Sequence, residues 1–196
     1  MGNIERPKSK QPIPEHAKKV FSGVLFDVYQ WEQELYNGTK STFEKLKRPD
    51  TVVVFPVLDN GEILLTEQEQ PGKEGSFISG AGGRVDQGED ILDAAKRELL
   101  EETGYEANEF YLWDAQQPSS KLEWAVYTFI AKGVKKVAEL NPDAGEKIKL
   151  KPVKFEEFLD MATEKKFLEK EVVGKLFEAK LDPKKLEELR ELFKPN

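Results

Sequence analysis

Gly83-Arg84-Val85-Asp86-Gln87-Gly88-Glu89, and beyond it Arg97-Glu98-Leu99-Leu100-Glu101-Glu102-Thr103-Gly104-Tyr105, is the stretch on which the reading of this chain turns. The glycine-rich segment 72–88 leads into a helix expected over residues 89–103, and Gly104 stands where a left-handed helix cap belongs. At about 100° per residue, Glu98, Glu101 and Glu102 fall at i, i+3 and i+4 and share one face of that helix. Leu92, Ala95 and Leu99 form the neighbouring apolar stripe that would dock it on a sheet. Local energetics oppose the arrangement. Like charges at these spacings cost roughly 0.2–0.5 kcal/mol each, and anions in the last turn face the negative end of the helix dipole at roughly 0.3–1 kcal/mol each. Arg97 can pair with Glu101 and relieve only part of this. A divalent cation would resolve the conflict, because Mg²⁺ takes oxygen ligands and suits a carboxylate cluster with phosphate oxygens. A solvated acidic face is the plain alternative for the three glutamates taken alone.

Composition narrows the chemistry. The 196 residues contain no cysteine, which excludes disulfides and thiolate sites, and a single histidine, His16, whose place in a Pro/Lys-rich leader argues against a Ser-His-Asp triad and whose solitude argues against a multi-histidine metal site. Net charge is −7, from 37 acidic and 30 basic residues, so the basic footprint of a nucleic-acid partner is missing and an anionic substrate would need cations to mediate. No run approaches the roughly 18 apolar residues of a membrane span. The polar N-terminus lacks a signal peptide's apolar stretch. A cytoplasmic protein is the expectation.

Outward from the central stretch, residues 1–19 read as a flexible or loosely docked leader. Residues 20–48 hold two strands about Asn37-Gly38, a strong hairpin signal, and carry Phe21, Phe26, Tyr29, Trp31, Tyr36 and Phe43. Residues 51–58 read as a buried strand, turned by Asp59-Asn60-Gly61 into a second at 62–66. Further strands are expected at about 108–113 and 122–131. A polar loop over 132–146, a strand at 147–153 and a helix at 155–162 follow. A C-terminal extension, 164–196, holds helices at about 165–180 and from Pro183, capped by Asp182. The mixture implies an α+β fold.

The residues of the central stretch resemble the Nudix hydrolase family, whose box reads Gly-x5-Glu-x7-Arg-Glu-U-x-Glu-Glu-x-Gly-U, with U a bulky apolar residue. Gly83, Glu89, Arg97, Glu98, Leu99, Glu101, Glu102 and Gly104 fill it; Tyr105 stands where an aliphatic residue is usual. The resemblance implies an α/β/α sandwich with a mixed sheet over residues 49–163. It implies Mg²⁺, or Mn²⁺, held by Glu98, Glu101, Glu102 and the Gly82 carbonyl, with Glu89, Arg97, Gly83 and Gly104 shaping the surroundings. Beyond the box the layout is similar to the ADP-ribose and nucleotide-sugar pyrophosphatase branch. That branch implies Phe43 and Arg48 for the nucleotide, Glu146 as the base for water, and a homodimer formed through residues 20–48. Glu139, Asp143 and Glu101 are further candidates for the base, and Tyr29 or Trp31 for stacking. Glu69-Gln70-Pro71 and Ser79-Gly80-Ala81 depart from the branch's usual phosphate-gripping and pre-box residues. The expected activity is cleavage of a nucleoside diphosphate sugar into a nucleoside monophosphate and a sugar phosphate. Hydrolysis of nucleoside triphosphates or dinucleoside polyphosphates, and a non-catalytic nucleotide-sensing module, are the competing readings.

Overall fold

The computed structural model describes residues 4–142 and 145–196. In chain order these form β1 (Lys18–Ser22), β2 (Asp27–Glu34), β3 (Lys40–Lys47), β4 (Thr51–Pro56), β5 (Ile63–Glu69), β6 (Phe77–Ser79) and β7 (Ala81–Arg84), then α1 (Ile91–Thr103) and β8 (Tyr105–Gln116). They continue with β9 (Leu122–Glu123), β10 (Val126–Lys136), β11 (Lys147–Val153), α2 (Phe155–Asp160), α3 (Lys170–Leu181) and α4 (Pro183–Leu192).

The central sheet is mixed, with strand order β7-β4-β10-β8. β4 lies parallel to β10, with Val52 opposite Tyr127, while β7 and β8 run antiparallel to their neighbours. A strand that reads Val-Val-Val-Phe must be covered on both faces, and alternation divides its side chains. Val52 and Val54 meet Ala94, Ala95 and Leu99 of α1 together with Tyr127 and Phe129. Val53 and Phe55 point the other way, into a cluster with Leu65, Phe158, Phe167, Leu176 and Phe193. Phe55 stands edge-on to Phe158, with centroids 5.2 Å apart. Leu99 has no exposed surface, which stabilises the docked helix by roughly 1.5–3 kcal/mol. The layers are therefore α1, the mixed sheet, and the C-terminal helices with a small antiparallel sheet of order β11-β5-β6.

The N-terminal strands build a separate sheet of order β1-β2-β3-β9, turned at Asn37-Gly38, where Gly38 takes φ +79°. Residues ahead of β1 are tied to the body. Arg6 bridges Asp50 at 2.8 Å and Glu123 at 2.7 Å, and the buried Lys45 ammonium donates to Ser9 Oγ, the Gln11 carbonyl and Glu123. The leader thus docks through these charges and through Ile4, which packs against the core on the α1 side of the sheet.

Several boundaries differ from the sequence expectation: residues 18–47 form three strands rather than two, the glycine-rich stretch 72–88 holds β6 and β7, β8 spans Tyr105–Gln116 rather than 108–113, and three further differences have a clear cause. The strand expected over 122–131 is interrupted at Trp124 and Ala125, where the Ala125 amide donates to Asp50 Oδ1 at 2.8 Å. β10 runs on to Lys136 because β8 supplies a partner through Tyr105. α3 begins at Lys170 rather than 165, since Ile78 of β6 captures the backbone ahead of it: the Ile78 amide donates to Lys166 O and the Leu168 amide donates to Ile78 O.

Candidate active site

Asp90 caps the start of α1, accepting from the Leu92 amide at 2.8 Å. At the other end Gly104 takes φ +73°, its amide donates to Leu100 O, and a Cβ there would collide with Ala138 O. Only glycine satisfies both demands. No basic residue occupies the last turn, so Arg97 is the counter-charge from within the helix. Its Nε and Nη2 grip both Glu89 oxygens at 2.9 and 3.0 Å, and Nη2 also reaches Arg84 O at 2.9 Å. Nη1 donates to Glu98 at 2.7 Å and Glu101 at 3.1 Å. Glu89 in turn accepts from the Asp86 amide. Residues 84–89 are thereby clamped on the carboxylate face of α1. The pairing raises the Arg97 pKa and lowers that of Glu89.

Glu98, Glu101 and Glu102 line one cavity of about 430 Å³, together with Gly82, Gly83, Arg84 and Glu146. Gly83 is required by proximity, since a Cβ would run into the Glu98 carboxylate. Glu102 is buried at 6% exposure. Its carboxylate accepts from the Gly82 amide at 3.0 Å and from Gln68 Nε2 at 3.1 and 3.2 Å. Burial dominates and pushes its pKa to about 8, opposed by the Gly82 amide and Gln68 and reinforced by the charges of Glu98 and Glu146. Among the described residues no three acidic or imidazole groups converge closely enough to grip an ion together. Arg97 draws Glu98 and Glu101 one way, while Gln68 and Gly82 hold Glu102 another. The donor set, hard oxygens without sulfur or imidazole around an open cavity, fits a hard divalent cation.

Of the other candidates, Glu146 reaches the cavity and accepts from Gln70 Nε2 at 2.9 Å. Glu139 pairs with Lys136 at the surface, and Asp143 lies outside the described residues. Arg48 lines an adjoining cavity of about 310 Å³ that shares Ser79, Gly82 and Leu168 with the first. Its guanidinium sits 5.0 Å over the Trp124 ring, and its buried Nε has no hydrogen-bond partner. Phe43 lines neither cavity: it packs against Trp31 with Lys121 over its ring. Trp31 itself is buried, and Tyr29 borders a different depression beside Arg48 and Lys19.

Sequence reasoning missed Gln68, Ser79, Trp124 and Glu169. Gln68 had a usable signal. Thr66 and Gln68 share the inward face of β5 while Glu67 and Glu69 point away, which puts an amide where a strand expects an apolar residue. Ser79 and Glu169 meet only through the fold, at a 2.5 Å contact between β6 and the start of α3.

No helix among the described residues is long and apolar enough to cross a membrane. A solved structure of an ADP compounds hydrolase superposes with a TM-score of 0.70 at 24% identity, covering 87% of this chain and 92% of that one. An ADP-ribose pyrophosphatase of Bacillus subtilis (strain 168) is 38% identical over 90 residues, 46% of this chain and 49% of that protein. A methanol dehydrogenase activator of Bacillus methanolicus is 30% identical over 160 residues, 80% of this chain and 86% of its own length. The ADP compounds hydrolase NudE of Escherichia coli (strain K12) is 30% identical over 102 residues, 51% of this chain and 54% of that protein. The match thus spans about half the length of the two hydrolase relatives. The family model for the NUDIX domain covers residues 47–173, and the chain belongs to that family.

Proposed function

We propose that the protein is a Mg²⁺-dependent pyrophosphatase that splits ADP-ribose or another nucleoside diphosphate sugar into a nucleoside monophosphate and a sugar phosphate. The observation that carries this reading is that Glu98, Glu101, Glu102 and Glu146 line one cavity whose rim is clamped by Arg97 and Glu89. Glu98, Glu101, Glu102 and the Gly82 carbonyl would hold the cation, with Mn²⁺ as a substitute. When bound, the ion neutralises phosphate oxygens and eases deprotonation of water.

The chain's own residues supply the rest. Glu146, oriented by Gln70, takes the proton of the attacking water. Water forms a new bond to one phosphorus, the bridging P–O bond breaks, and the departing phosphate leaves as an anion. Arg84, on the cavity wall, offsets charge there. Arg48 holds the nucleotide side from the adjoining cavity. Phe43 contributes only if a second subunit brings it to the site. A homodimer through residues 20–48 fits the exposed Val20, Phe21, Val24 and Tyr36, and sedimentation of a monomer alone would dismiss it. The cytoplasm is the proposed location.

The test is purified protein with Mg²⁺ against a panel of diphosphate-linked nucleotides, with products identified. Turnover of none of them refutes the proposal, and free pyrophosphate among the products moves it to nucleoside triphosphates. The 160-residue likeness to a methanol dehydrogenase activator favours a second reading, action on a dehydrogenase partner. A dehydrogenase rate unaltered by the added protein dismisses that one.

A further inference from the structure

Glu169 is the N-cap of α3, yet its side chain makes no capping hydrogen bond. A capping side chain is worth typically about 1 kcal/mol, so the residue forgoes a local interaction. Its carboxyl instead turns inward, buried at 7% exposure, to meet Ser79 Oγ at 2.5 Å. Ser79 Oγ also lies 2.7 Å from the Gly80 carbonyl. One hydroxyl has one proton, so both contacts are satisfied together when the carboxyl carries its own proton and donates to Ser79. Burial raises the Glu169 pKa to about 7, with the charge of Glu171 adding and the Ser79 hydroxyl, the Gly80 backbone and Lys73 opposing.

The contact continues inward without a break. Thr66 Oγ1 donates toward Ser79 O and Gly80 O at 3.2 and 3.4 Å, Gln68 Nε2 donates to Thr66 Oγ1 at 3.0 Å, and its second proton goes to Glu102. Thr66, Gln68, Ser79, Glu102 and Glu169 are all buried. A second route is covalent: Ser79 and Gly80 lead through Ala81 to Gly82, whose amide also holds Glu102.

We infer that Glu169 is a positioning residue for the carboxylate site, pinning the Ser79–Gly82 backbone and orienting the Thr66–Gln68 donors that aim Glu102. The inference rests on the proposed metal-assisted hydrolysis for its consequence in turnover, but not for its consequence in cation binding. A sequence that abandons a cap to bury an acid beside a functional cluster breaks two local rules at one residue. Groups that orient metal-binding side chains in this way typically change metal affinity or activity 10–100-fold when removed.

The experiment compares wild type, Glu169→Leu, Glu169→Gln and Ser79→Ala. It measures Mn²⁺ binding to the metal-free full-length protein by calorimetry, kcat and KM on the best diphosphate substrate, and the melting midpoint. Glu169→Leu should weaken Mn²⁺ binding and lower kcat at least about 10-fold while KM moves little. Its midpoint should equal or exceed that of wild type, because a buried acid has been replaced by an apolar side chain of similar size. Glu169→Gln keeps a donor for Ser79 and should restore both quantities to within about 3-fold. Wild-type Mn²⁺ affinity and kcat in Glu169→Leu overturn the inference. Should that variant not fold, Ser79→Ala removes the joint without added bulk, and unchanged Mn²⁺ affinity there overturns it equally. If wild type proves inert toward every diphosphate, the proposed function fails while the Mn²⁺ comparison still decides the role of Glu169.

Discussion

Replacing Glu102 by Gln should stabilise the metal-free protein while abolishing its activity. Glu102 is 6% exposed, and burial moves its pKa from 4.5 to about 8. Each unit corresponds to about 1.4 kcal/mol. Because the folded state holds this proton more tightly than the unfolded chain, the contribution of Glu102 to stability is fully present below pH 4.5 and is lost as pH rises toward about 8. At pH 7 the penalty amounts to about 3 kcal/mol. Glutamine removes it and still accepts from the Gly82 amide and Gln68 through its carbonyl. The new NH₂ finds no protein acceptor among Glu102's partners and returns about 1 kcal/mol. A net gain of about 2 kcal/mol in a chain of this size raises the melting midpoint by about 4–8 °C. Melts in EDTA at pH 7 and at pH 4.5 measure it: the gain should be present at pH 7 and be lost or slightly reversed at pH 4.5, where the ionisation penalty no longer exceeds the cost of the unpaired NH₂. Added Mg²⁺ should raise the wild-type midpoint more than that of the variant. A variant that melts below wild type in EDTA at pH 7 would refute the burial argument.

Other substitutions separate the parts of the site. Arg97→Met removes the clamp on Glu89 and should cost about 2 kcal/mol, a fall of about 4–8 °C in melting midpoint, together with a 10–100-fold loss of kcat. Gly104→Ala forces a Cβ into a left-handed conformation against Ala138 O and should destabilise by at least about 2 kcal/mol, read by denaturant titration. Arg48→Ala, acting on substrate rather than on the carboxylates, should raise KM roughly 10-fold with kcat nearly unchanged. A fall in kcat alone would place Arg48 elsewhere in the reaction.

The helix, its glycine cap and the carboxylate face were legible because they rest on local physics: a 3.6-residue period and one position where only glycine fits. β11 and the Asp182–Pro183 start of α4 were readable for the same reason. What escaped was non-local. Glu169 sits in a charged run that reads as helix surface, and only the capture of residues 166–168 by β6 turns it inward toward Ser79. Trp124 falls in a break between β9 and β10 created by Asp50, a residue far off in sequence, so its stacking with Arg48 left no trace in spacing. Phe43 was nominated through the family resemblance alone; in the fold its ring packs against Trp31 with Lys121 over it.

The account stands on the claim that Glu98, Glu101 and Glu102 are crowded together to hold divalent cations. Anomalous diffraction from crystals soaked in Mn²⁺ with an unreactive diphosphate analogue tests it most directly. The account predicts Mn²⁺ peaks in the cavity bonded to these three carboxylates, which leave their contacts with Arg97 and Gln68 to converge on the metal. Analogue bound in the cavity with the carboxylates unmoved and no anomalous peak beside them would contradict it.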